Sequence, residues 1–257
     1  MRWNIYFLSL LLLFVSCGKE KIVNDYIVKN EFNKIRTFCQ NKNFNINEID
    51  ENGNSYLNNA IEYNRPQIAM LLIDHGIDVN IPNKQGYTSL GYALLNHQDV
   101  VFFYILAHGA DLDSNEKEMR SPVFIAISEN NIDALKVLLD HKFNVNLYFN
   151  FGDNSKVNAI QYCCLVQNDV GMLKLLVGHG ADVNSSDSRG NTVLHYAVMS
   201  LKGDAWESVL FLLKNGAKGS LKNKMGLTPL EFAQKRKPSK KKTIELLRPQ
   251  SPFGAIN

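Results

Sequence analysis

Four histidines, His75, His108, His141 and His179, recur at similar intervals along this 257-residue chain. Imidazole nitrogen is a common transition-metal donor at neutral pH, so a recurring histidine first suggests a metal ladder. The recurrence itself argues against one. If each histidine fills the same slot of a repeated unit, successive rings lie about one helix-packing distance apart, roughly 10 Å. Zinc holds nitrogen ligands at about 2.0–2.1 Å, and rings in such a row do not converge on one ion. A histidine near a helix C-terminus instead complements the carbonyl end of that helix.

The other reactive residue types are no better assembled. No serine lies in a Gly-x-Ser-x-Gly elbow, and neither a phosphate-cradling glycine-rich loop nor His-Glu-x-x-His occurs. Cys39, Cys163 and Cys164 have no zinc-ligand spacing, and adjacent cysteines seldom pair, so all three read as small core hydrophobes. Expected catalytic, cofactor-binding and metal-binding residues are therefore none. With 28 basic against 25 acidic residues, the charge is too balanced to argue for nucleic acid.

The elements that carry these residues repeat. Asp50-Glu-Asn-Gly53 returns as Asn83-Lys-Gln-Gly86, Asp187-Ser-Arg-Gly190 and Asn223-Lys-Met-Gly226. A helix start follows each: Ser55-Tyr-Leu-Asn-Asn-Ala60, Thr88-Ser-Leu-Gly-Tyr-Ala93, Thr192-Val-Leu-His-Tyr-Ala197 and Thr228-Pro-Leu-Glu-Phe-Ala233. Ser121-Pro-Val-Phe-Ile-Ala126 and Asn158-Ala-Ile-Gln-Tyr-Cys163 are divergent copies. The Asx residue and Gly make a tight turn, Ser or Thr caps the helix, and Pro fits its first turn. Units close on stretches such as Leu71-Leu-Ile-Asp-His-Gly-Ile-Asp-Val-Asn80, where Gly76, Gly109, Gly180 and Gly216 should end a second helix in the left-handed conformation. Starts at 53, 86, 119, 156, 190 and 226 give spacings of 33, 33, 37, 34 and 36.

A period near 33 with Thr-Pro-Leu-His and Gly-Ala-Asp-Val-Asn signatures resembles the ankyrin-repeat family. The resemblance implies an all-α solenoid of stacked helix-turn-helix units with protruding β-turn fingers. The expected division is an N-terminal cap at 22–52, repeats at 53–85, 86–118, 119–155, 156–189 and 190–225, a C-terminal cap at 226–248 and a tail at 249–257. Within the cap at 22–52 a second-helix pattern is visible but the opening turn is missing. His195 matches the family's scaffold histidine. Tyr92, Tyr162, Tyr196 and Phe232 recur at one position and are expected to pack between repeats.

The N-terminus is a separate object. Trp3 to Ser16 is mostly apolar but shorter than the ~20 residues a membrane-spanning helix needs, which fits a secretory signal. Its end, Phe14-Val15-Ser16-Cys17, resembles a bacterial lipobox, with Phe14 departing from the usual leucine. The resemblance implies a signal peptide at 1–16 and lipidated Cys17 opening a linker at 17–21. The product would be an exported lipoprotein anchored to a membrane facing the periplasm or cell surface. A plain signal peptide cleaved elsewhere and an uncleaved anchor are the alternatives.

Protein binding is the function the ankyrin resemblance implies, with no nucleic acid and a monomeric chain. The family contacts partners through turn tips and the exposed side of first helices. Here these are Lys84, Gln85 and Tyr87; Lys117, Glu118 and Arg120; Ser188, Arg189 and Asn191; and first-helix residues such as Glu62 and Tyr63. The 37-residue unit adds a longer finger carrying Tyr148, Phe149 and Phe151, whose rings either meet a partner or fold back onto the stack. Two roles fit: an adaptor or inhibitor outside the cytoplasm, or a structural component of the envelope.

Overall fold

The computed structural model describes residues 20–112, 120–141, 143–151, 155–236 and 241–248. Two compact units divide the chain, Met1–Ser114 and Asn115–Asn257, and each is a stack of antiparallel helix pairs.

In the first unit, helical residues 20–28 (α1) and Phe32–Cys39 (α2) form the terminal pair. Tyr56–Glu62 (α3) with Pro66–Asp74 (α4), and Ser89–Leu95 (α5) with Asp99–Ala107 (α6), are the next two. First helices pack on first helices (α3 on α5) and second on second (α2 on α4, α4 on α6). The N-terminal segment therefore carries a first helix that its missing turn signature hid. Val23 and Ile27, four residues apart on one face, are fully buried with Ile35.

The second unit repeats the plan four times. Its first helices are Pro122–Ser128 (α7), Ala159–Val166 (α9), Val193–Met199 (α11) and Pro229–Arg236 (α13). Its second helices are Ile132–Asp140 (α8), Val170–Gly178 (α10), Trp206–Lys214 (α12) and Lys241–Leu246 (α14). The long finger is a hairpin in which Phe149–Phe151 (β1) pairs antiparallel with Ser155–Val157 (β2). The expected boundary between residues 155 and 156 falls inside β2.

Left-handed residues of two kinds punctuate most of the helix pairs, and Gly203 at φ 63° lies in the connection between α11 and α12. Gly76, Gly109, Gly180 and Gly216 end second helices at φ between 82° and 89°. The turn from first to second helix uses a different residue: Asn30, Asn64, His97, Asn130 and Asn168 all sit at φ 54–57°. Asparagine tolerates this region better than most residues, and His97 fills the slot in its own repeat.

Neighbouring repeats are also stitched by asparagines that end the Val-Asn signature. Asn80 accepts from the Asp111 N–H at 2.8 Å and donates to the Gly109 carbonyl at 3.2 Å. Asn146 and Asn184 bridge in the same way to Asp182 and Gly180, and to Lys218 and Gly216. One side chain thus satisfies a backbone donor and acceptor of the next unit.

Candidate functional site

The histidine row is structural. Nδ1 of His75, His108, His141 and His179 each lies 2.8 Å from the carbonyl four residues earlier, on Leu71, Tyr104, Val137 and Leu175. Each ring thereby ties itself to the last turn of its helix, and the carbonyls of Leu71, Val137 and Leu175 also accept the histidine's own N–H. Nε2 of His179 also meets Asp140 Oδ1 at 3.0 Å, and both contacts raise its pKa. Among the described residues no cluster of His, Cys, Asp or Glu could hold a metal ion. No described helix is long and apolar enough to cross a membrane.

The finger turns are built around one Asx side chain each. Asp187 Oδ1 accepts the N–H groups of Arg189 (2.8 Å) and Asn191 (2.7 Å). Its Oδ2 accepts from Asn191 Nδ2 at 2.9 Å and the Tyr196 hydroxyl at 2.8 Å. Burial and that carboxylate push the Tyr196 hydroxyl well above the usual tyrosine pKa. Asp50, Asn83 and Asn223 organise their own turns through the same paired N–H contacts.

Successive fingers touch. The Lys224 N–H donates to the Arg189 carbonyl at 2.9 Å, beside Gly190 at φ 76°. A Cβ on Gly190 would stand 3.1 Å from the Lys224 nitrogen, so glycine serves both the turn and the close approach.

One helix position links finger, cap and neighbouring repeat. At the third residue of α9, Gln161 Oε1 accepts from the Asn158 N–H (3.1 Å) and its Nε2 donates to the Ser185 carbonyl (3.1 Å). In α11, His195 Nδ1 accepts from the Thr192 N–H (3.1 Å) while Nε2–H donates to the Leu227 carbonyl (3.0 Å). Two opposite roles fix the neutral tautomer, and burial lowers the His195 pKa. In α13, Glu231 Oε2 accepts from the Thr228 N–H at 2.8 Å.

Between fingers and first helices lie two grooves of opposite character. In the first unit a groove of about 350 Å³ gathers Asp50, Glu62, Tyr63, Lys84 and Gln85. Tyr92 donates to Glu62 Oε2 at 3.2 Å, and burial with that carboxylate pushes its pKa up to about 12. In the second unit a groove of about 490 Å³ has Met199, Met225, Leu227 and Phe232 on its floor and lip, with Arg189, Lys224 and Lys235 at its rim. Four of the expected contact residues thus meet in the first groove: Glu62, Tyr63, Lys84 and Gln85. Ser188, Arg189 and Asn191 meet in the second.

Not all of them offer a free side chain. Asn191 is only 9% exposed, held by Asp187 and by Asn223 Nδ2 at 2.9 Å, and is a turn-building residue. Phe149 is 2% exposed, with its ring 4.6 Å from Phe124 and 6.3 Å from Phe143, which removes it from the contact set. The hairpin folds it inward because a three-residue strand alternates faces, and its inner face closes over α7. Phe151 is half-buried against Tyr162 at 6.1 Å, and Tyr148 is 39% exposed with its hydroxyl donating to the Ser186 carbonyl. Tyr87 and Arg120 are half-buried, whereas Lys117, Glu118 and Cys17 lie outside the described residues. Lys235 opens the basic run 235–242, which suits an acidic partner, an anionic membrane surface or plain solvation of the cap, whereas Lys224 and Met225 were not legible as contact residues in the sequence. The signal was a methionine at a fingertip where the other copies carry Asn52, Gln85 and Arg189.

Comparisons with known proteins agree on the architecture. Family models described as ankyrin repeats match residues 11–116, 96–187 and 179–233. An ankyrin repeat protein of Acanthamoeba polyphaga mimivirus is 28% identical over 214 residues, covering 79% of this chain but 25% of that protein. The chain thus spans about a quarter of that relative's length. The ankyrin repeat protein YahD of Escherichia coli is 27% identical over 164 residues, 63% of this chain and 79% of YahD. The crystal structure of the ankyrin repeat domain of Bcl-3 superposes with a TM-score of 0.71 at 20% identity, covering 88% of this chain and 97% of that domain.

Proposed function

Because the chain belongs to the ankyrin-repeat family, we propose that it is a non-catalytic, protein-binding lipoprotein, an adaptor or inhibitor acting outside the cytoplasm at the bacterial envelope. Protein interaction is the business of such repeats, and the observation that supports it here is convergence. Exposed side chains collect in two grooves between finger turns and first helices, Tyr63, Lys84 and Gln85 in one and Lys224 and Met225 in the other. Two of the groups with perturbed pKa values serve the scaffold: Tyr196 is bonded into its finger turn and His195 into its helix cap.

Export and anchoring rest on the sequence: an apolar run closing on Cys17 and followed by Gly18-Lys19-Glu20. Thioether-linked acyl chains on Cys17 would tether the repeats to a membrane surface and leave the grooves free to meet a partner.

Metabolic labelling with a fatty acid, comparing the wild type with Cys17→Ala, tests the anchor. Label that depends on Cys17 supports it, and label absent from the wild type or retained by the variant ends it. Affinity capture from envelope extract tests the binding half. A stoichiometric partner lost on Tyr63→Ala or Met225→Glu supports groove binding, and a partner kept by both overturns it.

A further inference from the structure

We propose that the groove of the second unit docks an extended peptide segment in which acidic residues flank a large apolar side chain. This deepens the protein-binding reading by committing to one surface and one chemistry.

The apolar half of the argument is Met225. It stands at the tip of the last finger, 71% exposed, at the position that Asn52, Gln85 and Arg189 occupy in other turns. A turn organised by the Asn223 side chain does not need an apolar residue there, because both N–H contacts are made by backbone. Exposure of one apolar side chain is ordinary by itself, and Leu201 is equally exposed; Met225 stands out because it borders a groove with further apolar side chains. Beneath it lie Met199, Leu227 and Phe232, each half-buried, so a side chain entering the groove meets apolar surface on several sides. Methionine is unbranched and adapts to the shape it meets, and a volume of about 490 Å³ suits one or two large side chains.

The charged half is the rim. Arg189, Lys224 and Lys235 are exposed around the groove, and no acidic side chain lines it. The chain's overall balance hides this. Residues 218–248 hold ten basic against two acidic residues, and the remainder holds 18 against 23. Of those two acids, Glu231 is engaged with the Thr228 N–H at the start of α13. A partner approaching here meets a positive field that favours carboxylates and repels cationic segments. The groove in the first unit, with Asp50 and Glu62, carries the opposite preference.

The test is selection from a naive linear peptide library on the full chain, followed by fluorescence anisotropy with the synthetic consensus peptide. The expected consensus places Asp or Glu on either side of Leu, Phe, Met or Ile. Met225→Glu, at a position too exposed to matter for folding, should weaken that peptide tenfold or more, on the order expected for a lost apolar anchor. Lys224→Glu combined with Lys235→Glu should weaken it by about tenfold, and raising salt should weaken it several-fold. Val100→Ala, 63% exposed on α6 and lining neither groove, should leave it unchanged. A consensus without acids, or affinity indifferent to Met225→Glu and Lys224→Glu, overturns the proposal. A peptide lost only on Tyr63→Ala overturns it while preserving protein binding, and failure of every peptide and of affinity capture overturns both. Displacement of the peptide by phosphatidylglycerol vesicles or single-stranded DNA that binds regardless of Met225 would assign the basic rim to a polyanion instead.

Discussion

Replacing His195 by alanine removes a side chain that works in two repeats at once. Nδ1 no longer accepts the Thr192 N–H, Nε2 no longer donates to the Leu227 carbonyl, and both backbone groups lose their partner in a region where His195 was fully buried. Two hydrogen bonds at about 1 kcal/mol each, together with an edge-on ring contact to Phe232 at 5.7 Å, put the cost at about 3 kcal/mol. For a chain of this size that is a fall in Tm of about 10 °C. In a stack whose units hold only their neighbours, hydrogen exchange should quicken most in α11 and α13. Glutamine is the informative control, because Gln161 fills the equivalent slot with the same two contacts. His195→Gln should cost no more than about 1 kcal/mol. It should also change the response to pH. Burial lowers the His195 pKa from 6.5, so its contribution is complete above about pH 6.5 and drains as pH falls through the lower folded value. His179 has the opposite sign: its pKa is raised, so its contribution is complete below 6.5 and lost as pH rises. Urea unfolding of the wild type and both variants between pH 5 and 8 reads all of this. If His195→Gln is as unstable as His195→Ala, or acidification costs His195→Gln as much as the wild type, the bridging role is refuted.

Gly190→Ala should destabilise by at least 1 kcal/mol more than Gly216→Ala. Both are left-handed, at φ 76° and 89°, and share a penalty of about 1–2 kcal/mol, but only Gly190 would drive a Cβ against the next finger. Equal losses in thermal melts would show that finger contact is not limiting. Phe149→Ala should cost about 3–5 kcal/mol, as for a buried aromatic, whereas Tyr148→Phe should cost about 1 kcal/mol or less through its bond to Ser186; the reverse order would place Phe149 outside the core. Burial raises the Cys39 thiol to about 11 and Cys163 to about 12, and holds Cys164 well above its usual value. At pH 8 a thiol reagent should therefore reach Cys39 slowly, and Cys163 and Cys164 only after unfolding in urea. Rapid reaction of either buried thiol in the native chain would contradict the packing.

What could be read from the sequence was the physics that must repeat. A turn needing positive φ asks for glycine, a helix start asks for a hydroxyl or Asx cap, and a helix end asks for glycine again, so these residues return at fixed intervals. Slots that several chemistries can fill were harder to read. The third position of the first helix is Asn58, Gly91, Phe124, Gln161, His195 or Glu231, and only Gln161 and His195 reach a carbonyl of the next repeat, a role that appears once that carbonyl is in place. The left-handed turn between helices was hidden because it uses asparagine four times and His97 once, residues with many other roles along the chain.

Exposure was the least legible quantity, and this bears directly on where a partner binds. A lengthened finger loaded with aromatics suggests an exposed contact surface. The alternation of a three-residue strand instead turns Phe149 into the stack and leaves Tyr148 at its edge. Aromatic content thus said nothing about which side of the hairpin faces water. Departure from the repeat's own pattern was the better guide. At a fingertip, where backbone contacts are already met by an Asx side chain, any polar residue suffices, and three turns use Asn52, Gln85 and Arg189. Met225 breaks that habit at the point where basic residues crowd together. In a repeated architecture the copies serve as internal controls for one another. A fingertip residue that departs from the other copies and borders an apolar groove is where binding should be sought first.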